Sequence, residues 1–209
     1  MNKLLDERLA DMLREAANIG SGHAVRSLSI LLGEPVTMQP VDLKVVSFQE
    51  LMSEYGEKEE VMAASLLPFY GDLAGIVYLL FSQEDMNALA GSLIGRPVTM
   101  EELKKDPYLH SMLKELGNIL SGAYISAIAD FTSLDMQTGS PSAAVDMAVS
   151  LWNEGLTYMQ EARNEVLFLE SEWKSASLPG GTASGRFLFL PDAASYQVLV
   201  QRLEEKFYA

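Results

Sequence analysis

Two pairs of glutamate and asparagine occur at the same spacing in this sequence, Glu15 with Asn18 and Glu115 with Asn118. An asparagine amide is neutral and both donates and accepts hydrogen bonds, so it can hold a water molecule in a fixed orientation. A carboxylate three residues away on a helix lies beside that amide and can pair with a cation. Such a pair is suited to positioning a water and a charged partner.

Composition excludes several other kinds of catalytic chemistry. The chain has no cysteine and only two histidines, His23 and His110. Disulfides, thiolate metal sites and cysteine nucleophiles are therefore excluded, and little is left for a zinc site or a serine and histidine pair. The sequence also has no P-loop, nucleophile elbow or dinucleotide-binding glycine pattern. We expect no metal site and no cofactor in this chain.

The two pairs belong to an internal repeat. At a shift of 100 residues, the segment Leu13–Ala24 aligns with Leu113–Tyr124, and six of the twelve aligned positions are identical. In the first copy these positions are Leu13, Glu15, Asn18, Ile19, Ser21 and Gly22. The segments that begin at Gly75 and Gly185 match more loosely, each as an apolar run followed by a helical pattern. The sequence therefore predicts a duplication.

Both copies are predicted to lie on the outward face of a long helix, because a period of about 100° per residue separates polar from apolar positions. The first helix has Asp11, Glu15, Asn18 and Gly22 outward, and Leu9, Leu13, Ala16, Gly20 and Ala24 inward. The second helix has Ser111, Glu115, Asn118 and Gly122 outward, and Leu109, Leu113, Leu116, Leu120 and Tyr124 inward. We expect the outward sets to include both the catalytic and the partner-binding residues.

Two alternatives stay open for these residues. Any amphipathic helix shows polar side chains to solvent, and common ancestry alone could preserve the repeated pair without a function.

The small residues of the motif each lower helix propensity, a glycine by up to about 1 kcal/mol relative to alanine. Close helix packing and close approach of a partner explain them equally well. The residues concerned are Gly20, Ser21, Gly22, Ser121 and Gly122.

Shorter patterns predict the elements that position the two helices. Runs rich in β-branched or aromatic residues predict strands over Val41–Phe48, Gly75–Phe81, Glu165–Glu170 and Gly185–Leu190. Turn-forming residues place the join between the halves at Gly95–Pro107 and a mobile hairpin loop at Leu178–Gly185.

The predicted fold class is mixed α/β (α+β), with a pseudo-two-fold duplication and a shared β-sheet flanked by helices. Each half contributes one long motif-bearing helix. No proline- or serine-rich linker divides the sequence. Residues 1–209 are therefore expected to form one domain built of two repeats, approximately residues 1–100 and 101–209.

Charge and hydropathy limit the partners. The formal net charge is −14, from 29 acidic and 15 basic residues. Nucleic acid and anionic membrane are poor partners for such a chain, because both bind through concentrated positive charge. No stretch reaches the roughly 18 apolar residues of a membrane helix, and the first residues are too charged for a signal peptide. We expect a cytoplasmic protein without membrane insertion.

The repeated motif resembles the signature of the CheC, CheX and FliY phosphatases of chemotaxis. That signature is Asp or Ser, Glu four positions later, Asn three positions after the Glu, and Pro 23 positions after the Asn. The second copy matches fully, since Pro141 follows Asn118 by 23 positions. In the first copy Pro40 follows Asn18 by 22 positions, one fewer. Chain length and the presence of two motif helices favour CheC among these relatives.

The resemblance implies an activity, a partner and a role for each motif residue. The substrate would be the aspartyl phosphate of the response regulator CheY, with Asn18 and Asn118 positioning the attacking water. Glu15 and Glu115 would pair with the regulator's active-site lysine. Mg²⁺ would be held by the regulator rather than by this chain. The partner-binding positions would be Asp11, Gly22, Ser111 and Gly122.

Other functions within the same fold stay open. The chain could be a non-catalytic adaptor that sequesters phosphorylated CheY or binds the receptor deamidase CheD, or a structural component of the flagellar switch. Two sites in one chain already supply what a dimer of single-site subunits would, which favours a monomer. The full match at Pro141 makes Glu115 and Asn118 the safer of the two sites.

Overall fold

The fold was analysed in a computed structural model that describes residues 7–39, 42–47, 50, 53, 60–151, 153 and 165–208. The helices are α1 (Glu7–Leu32), α2 (Gln83–Ile94), α3 (Met100–Lys105), α4 (Pro107–Thr132) and α5 (Ala193–Phe207). The strands of the first half are β1 (Thr37–Met38), β2 (Asp42–Ser47), β3 (Val61–Gly71) and β4 (Gly75–Phe81). Those of the second half are β5 (Met136–Thr138), β6 (Ser142–Met147), β7 (Glu165–Lys174) and β8 (Thr182–Pro191).

The eight strands form a single antiparallel sheet with the order β1-β7-β8-β4-β3-β5. Strand β2 pairs with β7 beyond β1, and β6 pairs with β3 beyond β5. The two halves meet at the centre, where β4 pairs with β8 in a register that sets Tyr78 opposite Leu188. The prediction of a mixed α/β fold with a shared sheet is confirmed.

Each half pairs its strands largely with the other half. The hairpin β3-β4 is flanked on one side by β5 and β6 and on the other by β8, all from the second half. The hairpin β7-β8 is flanked by β1 and β2 and by β4, all from the first half. Backbone hydrogen bonds at both edges of each hairpin therefore depend on the opposite repeat.

Both faces of the sheet are buried, which explains the apolar sequences of its central strands. In β4, Val77, Leu79 and Phe81 face the helices, and the alternate residues Ile76, Tyr78 and Leu80 belong to a second core cluster. That second cluster is completed by Ala148 and Leu151, in a helical turn over residues 148–151. A strand that is buried on both faces has a nearly continuous apolar sequence and does not alternate between apolar and polar residues.

All four predicted strands are present, as β2, β4, β7 and β8. Strands β1, β3, β5 and β6 were missed, and β3 shows why. Its sequence combines Ala, Ser and a proline, Pro68, which weigh against a strand. The Pro68 carbonyl accepts a hydrogen bond from Gly139 N–H at 2.8 Å, between β5 and β6. The N–H and C=O of one residue point to the same side of a strand. The N–H that proline lacks would therefore point to the interval between β5 and β6, where no strand needs it as a donor.

Two predicted turn segments differ from the structure. The segment Gly95–Pro107 was predicted as a turn-rich join, but it contains α3, which begins at a capping box between Thr99 and Glu102. The predicted mobile loop Leu178–Gly185 is also wrong in extent, because β8 begins at Thr182. The connection over residues 175–181 is held in place: Leu178 is buried, and Ser92 of α2 donates a 2.6 Å hydrogen bond to the Ser177 carbonyl.

The start of α4 is fixed by residues that precede the motif. The Asp106 side chain accepts a hydrogen bond from Tyr108 N–H at 2.8 Å, and Pro107 occupies the first helical position. Both features favour a helix start here, since proline has the required φ angle and aspartate satisfies an unpaired N–H. Because α4 begins at Pro107, four residues before Ser111, this start determines which motif residues face outward.

The two motif helices pack against each other on the sheet. A Cβ atom at Gly20 of α1 would lie 3.0 Å from the Tyr124 Cα and 3.1 Å from the Ala127 Cβ of α4. The glycine therefore permits a close helix crossing. Each of these helices has 26 residues. Within the described ranges, no helix is long and apolar enough to span a membrane.

Because the hairpin of each half pairs with strands of the other half, we can test whether either repeat folds alone. Residues 1–100 and 101–209, produced separately, are each expected to lack a cooperative unfolding transition, because each hairpin loses its paired neighbours on both edges. Co-expression of the two pieces should restore a folded complex. Circular dichroism during urea unfolding and size-exclusion chromatography measure both outcomes, with the full chain as control. A cooperative transition from one isolated piece would contradict the expectation.

Candidate functional site

The motif faces lie as the sequence predicts. On α1, Asp11, Glu15, Asn18 and Gly22 are exposed, and on α4 Ser111 and Glu115 are exposed while Asn118 and Gly122 are half-buried. The inward residues of both helices are buried, namely Leu9, Leu13, Ala16, Gly20, Ala24, Leu109, Leu113, Leu116, Leu120 and Tyr124. The outward placement of both Glu and Asn pairs is confirmed.

Among the residues that the structure describes, the two motif carboxylates have no partner. Within the described part of the structure, neither Glu15 nor Glu115 accepts a hydrogen bond or forms an ion pair. A carboxylate on a helix surface with no internal partner keeps its full capacity to accept hydrogen bonds from another molecule.

The residues four positions earlier are engaged within their own helices. Arg14 pairs with the Asp11 carboxylate, and its second nitrogen lies 3.5 Å from the Leu43 carbonyl of β2. The Ser111 hydroxyl donates a 2.9 Å hydrogen bond to the Pro107 carbonyl. Although one copy has Asp and the other Ser, both side chains are held against the helix. The sequence did not identify Arg14 as a residue that orients Asp11; its i, i+3 spacing from Asp11 is the signal that could have done so.

The two motif amides differ in their surroundings. Asn118 is half-buried, and its side-chain amide has no hydrogen-bond partner among the described residues. Asn18 is exposed, and its backbone carbonyl accepts a 2.9 Å hydrogen bond from the Ser21 hydroxyl. The second copy therefore holds its amide in a more enclosed position than the first.

The small residues of the motif divide into two groups. Gly20 packs on α4, and Gly117 is so close to Ser65 of β3 that an added Cβ would overlap the serine side chain. By contrast, apart from its own helix backbone and its chain neighbours, a Cβ at Gly22 or Gly122 would meet no atom of the described residues within 4 Å. Helix packing thus explains Gly20 and Gly117 but not the two outward glycines.

A buried hydroxyl ties the helix crossing to the sheet. The Tyr124 hydroxyl lies 2.8 Å from the Ser171 hydroxyl of β7. Burial raises the pKa of Tyr124 to about 12, against a smaller opposing effect of the hydrogen bond to Ser171. Tyr124 therefore stays protonated near neutral pH and has a structural role at the crossing.

The proline positions of the signature are only partly described. Pro141 is half-buried and directly precedes β6, whose first residue is Ser142. A proline at the entrance to an edge strand costs no ladder hydrogen bond. Pro40, one position short of the signature in the first copy, lies outside the described residues.

Other candidate sites do not include the motif. An open cleft of about 580 Å³ lies near Glu60, Gln83, Lys104 and Asp146, and no motif residue lines it. Within the part of the chain that the structure describes, no three His, Asp or Glu side chains converge in a group that could hold a metal ion. The outward faces of α1 and α4 remain the candidate site.

Comparison with known proteins identifies the family. A model described as the CheC-like family matches residues 110–143, the segment that carries the second motif copy and Pro141. The chain belongs to the CheC-like family, because this match is accompanied by 31% identity to a relative over 93% of the chain. That relative is the CheY-P phosphatase CheC of Bacillus subtilis (strain 168), aligned over 196 residues and 93% of its own length.

Solved structures support the fold assignment. FliY of Thermotoga maritima superimposes with a TM-score of 0.71 at 16% identity, covering 97% of this chain and 98% of that chain. The FliM middle domain of Vibrio alginolyticus superimposes with a TM-score of 0.63 at 12% identity, covering 93% and 99%. At such identities the likeness concerns the fold alone.

The free energy of unfolding of alanine variants can test whether the outward glycines and the packed glycines have different roles. Replacing Gly22 or Gly122 with alanine should stabilise the protein by roughly 0.5–1 kcal/mol each, because alanine favours the helix and meets no neighbour. Gly20→Ala and Gly117→Ala serve as matched controls and should destabilise it by about 1–3 kcal/mol through overpacking. Urea unfolding monitored by circular dichroism gives these values. Destabilisation by Gly22→Ala and Gly122→Ala would show that the outward glycines serve the fold.

Proposed function

We propose that this chain is a phosphatase that hydrolyses the aspartyl phosphate of the response regulator CheY. The observation that carries the proposal is the duplicated Glu and Asn pair, exposed on two helices of a chain 31% identical to a CheY-P phosphatase. Both carboxylates lack internal partners among the described residues. A site of this kind is incomplete until a second protein covers it.

In the proposed mechanism Asn18 and Asn118 position the attacking water. Hydrolysis of an acyl phosphate needs a water oxygen in line with the phosphorus and the leaving carboxylate oxygen. A neutral amide can accept a hydrogen bond from that water and donate one to a phosphoryl oxygen without repelling the phosphate. Each asparagine is thus proposed as the catalytic residue of its site, acting through orientation.

Glu15 and Glu115 are proposed to fix the docking register. A carboxylate is repelled by a phosphoryl group, so direct contact with the phosphate is unfavourable. A lysine beside the phosphorylated aspartate of the regulator offers a cation for a charge-assisted hydrogen bond. Because Glu and Asn are three residues apart on one helix face, pairing of the Glu places the neighbouring amide over the phosphate.

Mg²⁺ is proposed to reside on the regulator. The metal would neutralise phosphoryl charge there, while this chain contributes the amide and the carboxylate. Because the catalytic groups come from both proteins, hydrolysis is restricted to docked complexes. We propose no cofactor for this chain itself.

The outward glycines and the preceding Asp and Ser complete the proposed contact surface. Gly22 and Gly122 leave room beside the amide for the regulator backbone to approach. Asp11 and Ser111 lie one turn before the glutamates, and each is already engaged within its own helix, Asp11 by Arg14 and Ser111 by the Pro107 carbonyl. Their contact with the partner is therefore proposed to be peripheral.

We also propose that the protein acts as a monomer in the cytoplasm. The non-catalytic alternative is a binding protein for phosphorylated CheY or for CheD, and the likeness to the FliM middle domain extends only to the fold. Binding without hydrolysis distinguishes this alternative from the phosphatase.

The amides provide the main test. In the double variant Asn18→Ala with Asn118→Ala, acceleration of phosphate loss from CheY should fall by about 100-fold or more, because the water is no longer oriented. Affinity for CheY loaded with beryllofluoride, measured by calorimetry, should change little. Gln197→Ala, which removes an exposed amide from α5, is the matched control. Undiminished hydrolysis in the double variant would refute the proposed role.

The single variants test the inequality of the sites. Asn118→Ala should remove more than half of the activity and Asn18→Ala less than half, since Asn118 is the more enclosed amide and Pro141 completes its signature. Steady-state rates of phosphate release at saturating phosphorylated CheY measure the two shares. Equal losses would show that exposure of Asn18 and the shorter spacing to Pro40 have no effect.

A further inference from the structure

An isoleucine follows the asparagine in both copies of the motif, and the proposed mechanism gives it no role. Ile19 is 43% exposed, and Ile119 is half-buried. We infer that Ile19 and Ile119 are apolar docking residues that contact an apolar patch of the response regulator beside its phosphorylated aspartate. This inference rests on the proposed function and adds a specificity-determining residue to each site.

Packing among the described residues does not explain an isoleucine at these positions. Within the part of the chain that the structure describes, neither isoleucine belongs to the two core clusters or packs against them, whereas the half-buried Met12, Val25 and Met112 of the same helices pack against the core. Isoleucine is also a weaker helix former than alanine or leucine, because its branched side chain is restricted in a helix. A single exposed apolar residue is ordinary on a protein surface. The same residue at the same position of both repeats is not explained by that rule.

The isoleucines stand within the motif face. Along α1, Glu15, Ile19 and Gly22 follow one another at intervals of four and three residues, so they lie on one stripe, with Asn18 at its edge. The space beside Gly22 is open to at least 4 Å from the position of an added Cβ. Ile19 is therefore an exposed apolar side chain on the same stripe as Glu15 and Gly22, and it is separated from Asn18 by about 100° around the helix axis. Residues Glu115, Asn118, Ile119 and Gly122 repeat this arrangement on α4.

The negative charge of this chain and of the partner's phosphorylated site favours an apolar contact as the source of attraction at the motif surface. The chain has a net charge of −14, and none of the outward motif residues is basic. The phosphorylated site of the partner is itself anionic, so net electrostatics opposes the encounter apart from the proposed pairing of Glu with lysine. Burial of an exposed isoleucine against an apolar patch supplies attraction that does not depend on charge.

The test replaces both isoleucines and follows KM separately from kcat. In the double variant Ile19→Ala with Ile119→Ala, KM for phosphorylated CheY should rise about tenfold, while kcat stays within about twofold. The double variant with leucine at both positions keeps the apolar volume and should restore KM to within about threefold. Val198→Ala on α5 is the control, because Val198 is β-branched and 40% exposed, close to the value for Ile19. Its KM should not change.

Each outcome supports or overturns the inference. An unchanged KM in the alanine double variant, with normal wild-type activity, overturns it and leaves the proposed function intact. A lowered thermal unfolding midpoint with unchanged KM assigns the isoleucines to the fold instead. If the wild-type protein lacks phosphatase activity, the proposed function fails, and calorimetry with beryllofluoride-loaded CheY decides the inference. Weaker binding by the alanine double variant than by wild type then supports it, and equal or absent binding overturns it.

Discussion

The close crossing of α1 and α4 is the contact on which the candidate site depends. Gly20 brings the backbone of α1 against Tyr124, and the Tyr124 hydroxyl is linked to Ser171 of the sheet. With these inward positions fixed, the rotation of each helix about its axis is fixed as well. The outward face must then display the motif residues, because the two faces of a helix turn together. Orientation of a water requires a rigid support of this kind.

The sheet also contributes to the rigid support of the motif helices. Gly117 of α4 lies directly on Ser65 of β3, so the second motif helix is seated on a strand of the first repeat. Both faces of the central strands are buried, and the pairing of Gly75–Leu80 of β4 with Arg186–Pro191 of β8 joins the halves. A docking partner therefore meets a surface that does not need to fold on contact, which reduces the entropy lost on binding.

Much of this arrangement is readable from the sequence because it is periodic or repeated. Glu15, Asn18 and their counterparts were placed correctly, since an amphipathic pattern of 3.6 residues is a strong signal over 26 residues. Strand β3 was not predicted, because Pro68 and its alanines disfavour a strand unless the gap between β5 and β6 is known. The helix α3 was hidden because the residues around it end and start helices: Gly95 ends α2, Thr99 caps α3, and Asp106 caps α4. The helical phase separates Gly20, on the inward face, from Gly22 and Gly122 on the outward faces, but the open space beside the outward glycines depends on tertiary packing that no local pattern shows.

The exchange of strands has a consequence for how such a chain could arise. A molecule with a single repeat would have both edges of its hairpin unpaired, and a second copy of itself would supply the missing strands in the same register. Such a homodimer would carry two identical sites, because symmetry makes them so. Joining the copies into one polypeptide removes that symmetry. Each half of a joined chain can then change independently. The two halves of this chain differ in this way, with Asp11 against Ser111, Arg14 against Lys114 and Ala24 against Tyr124.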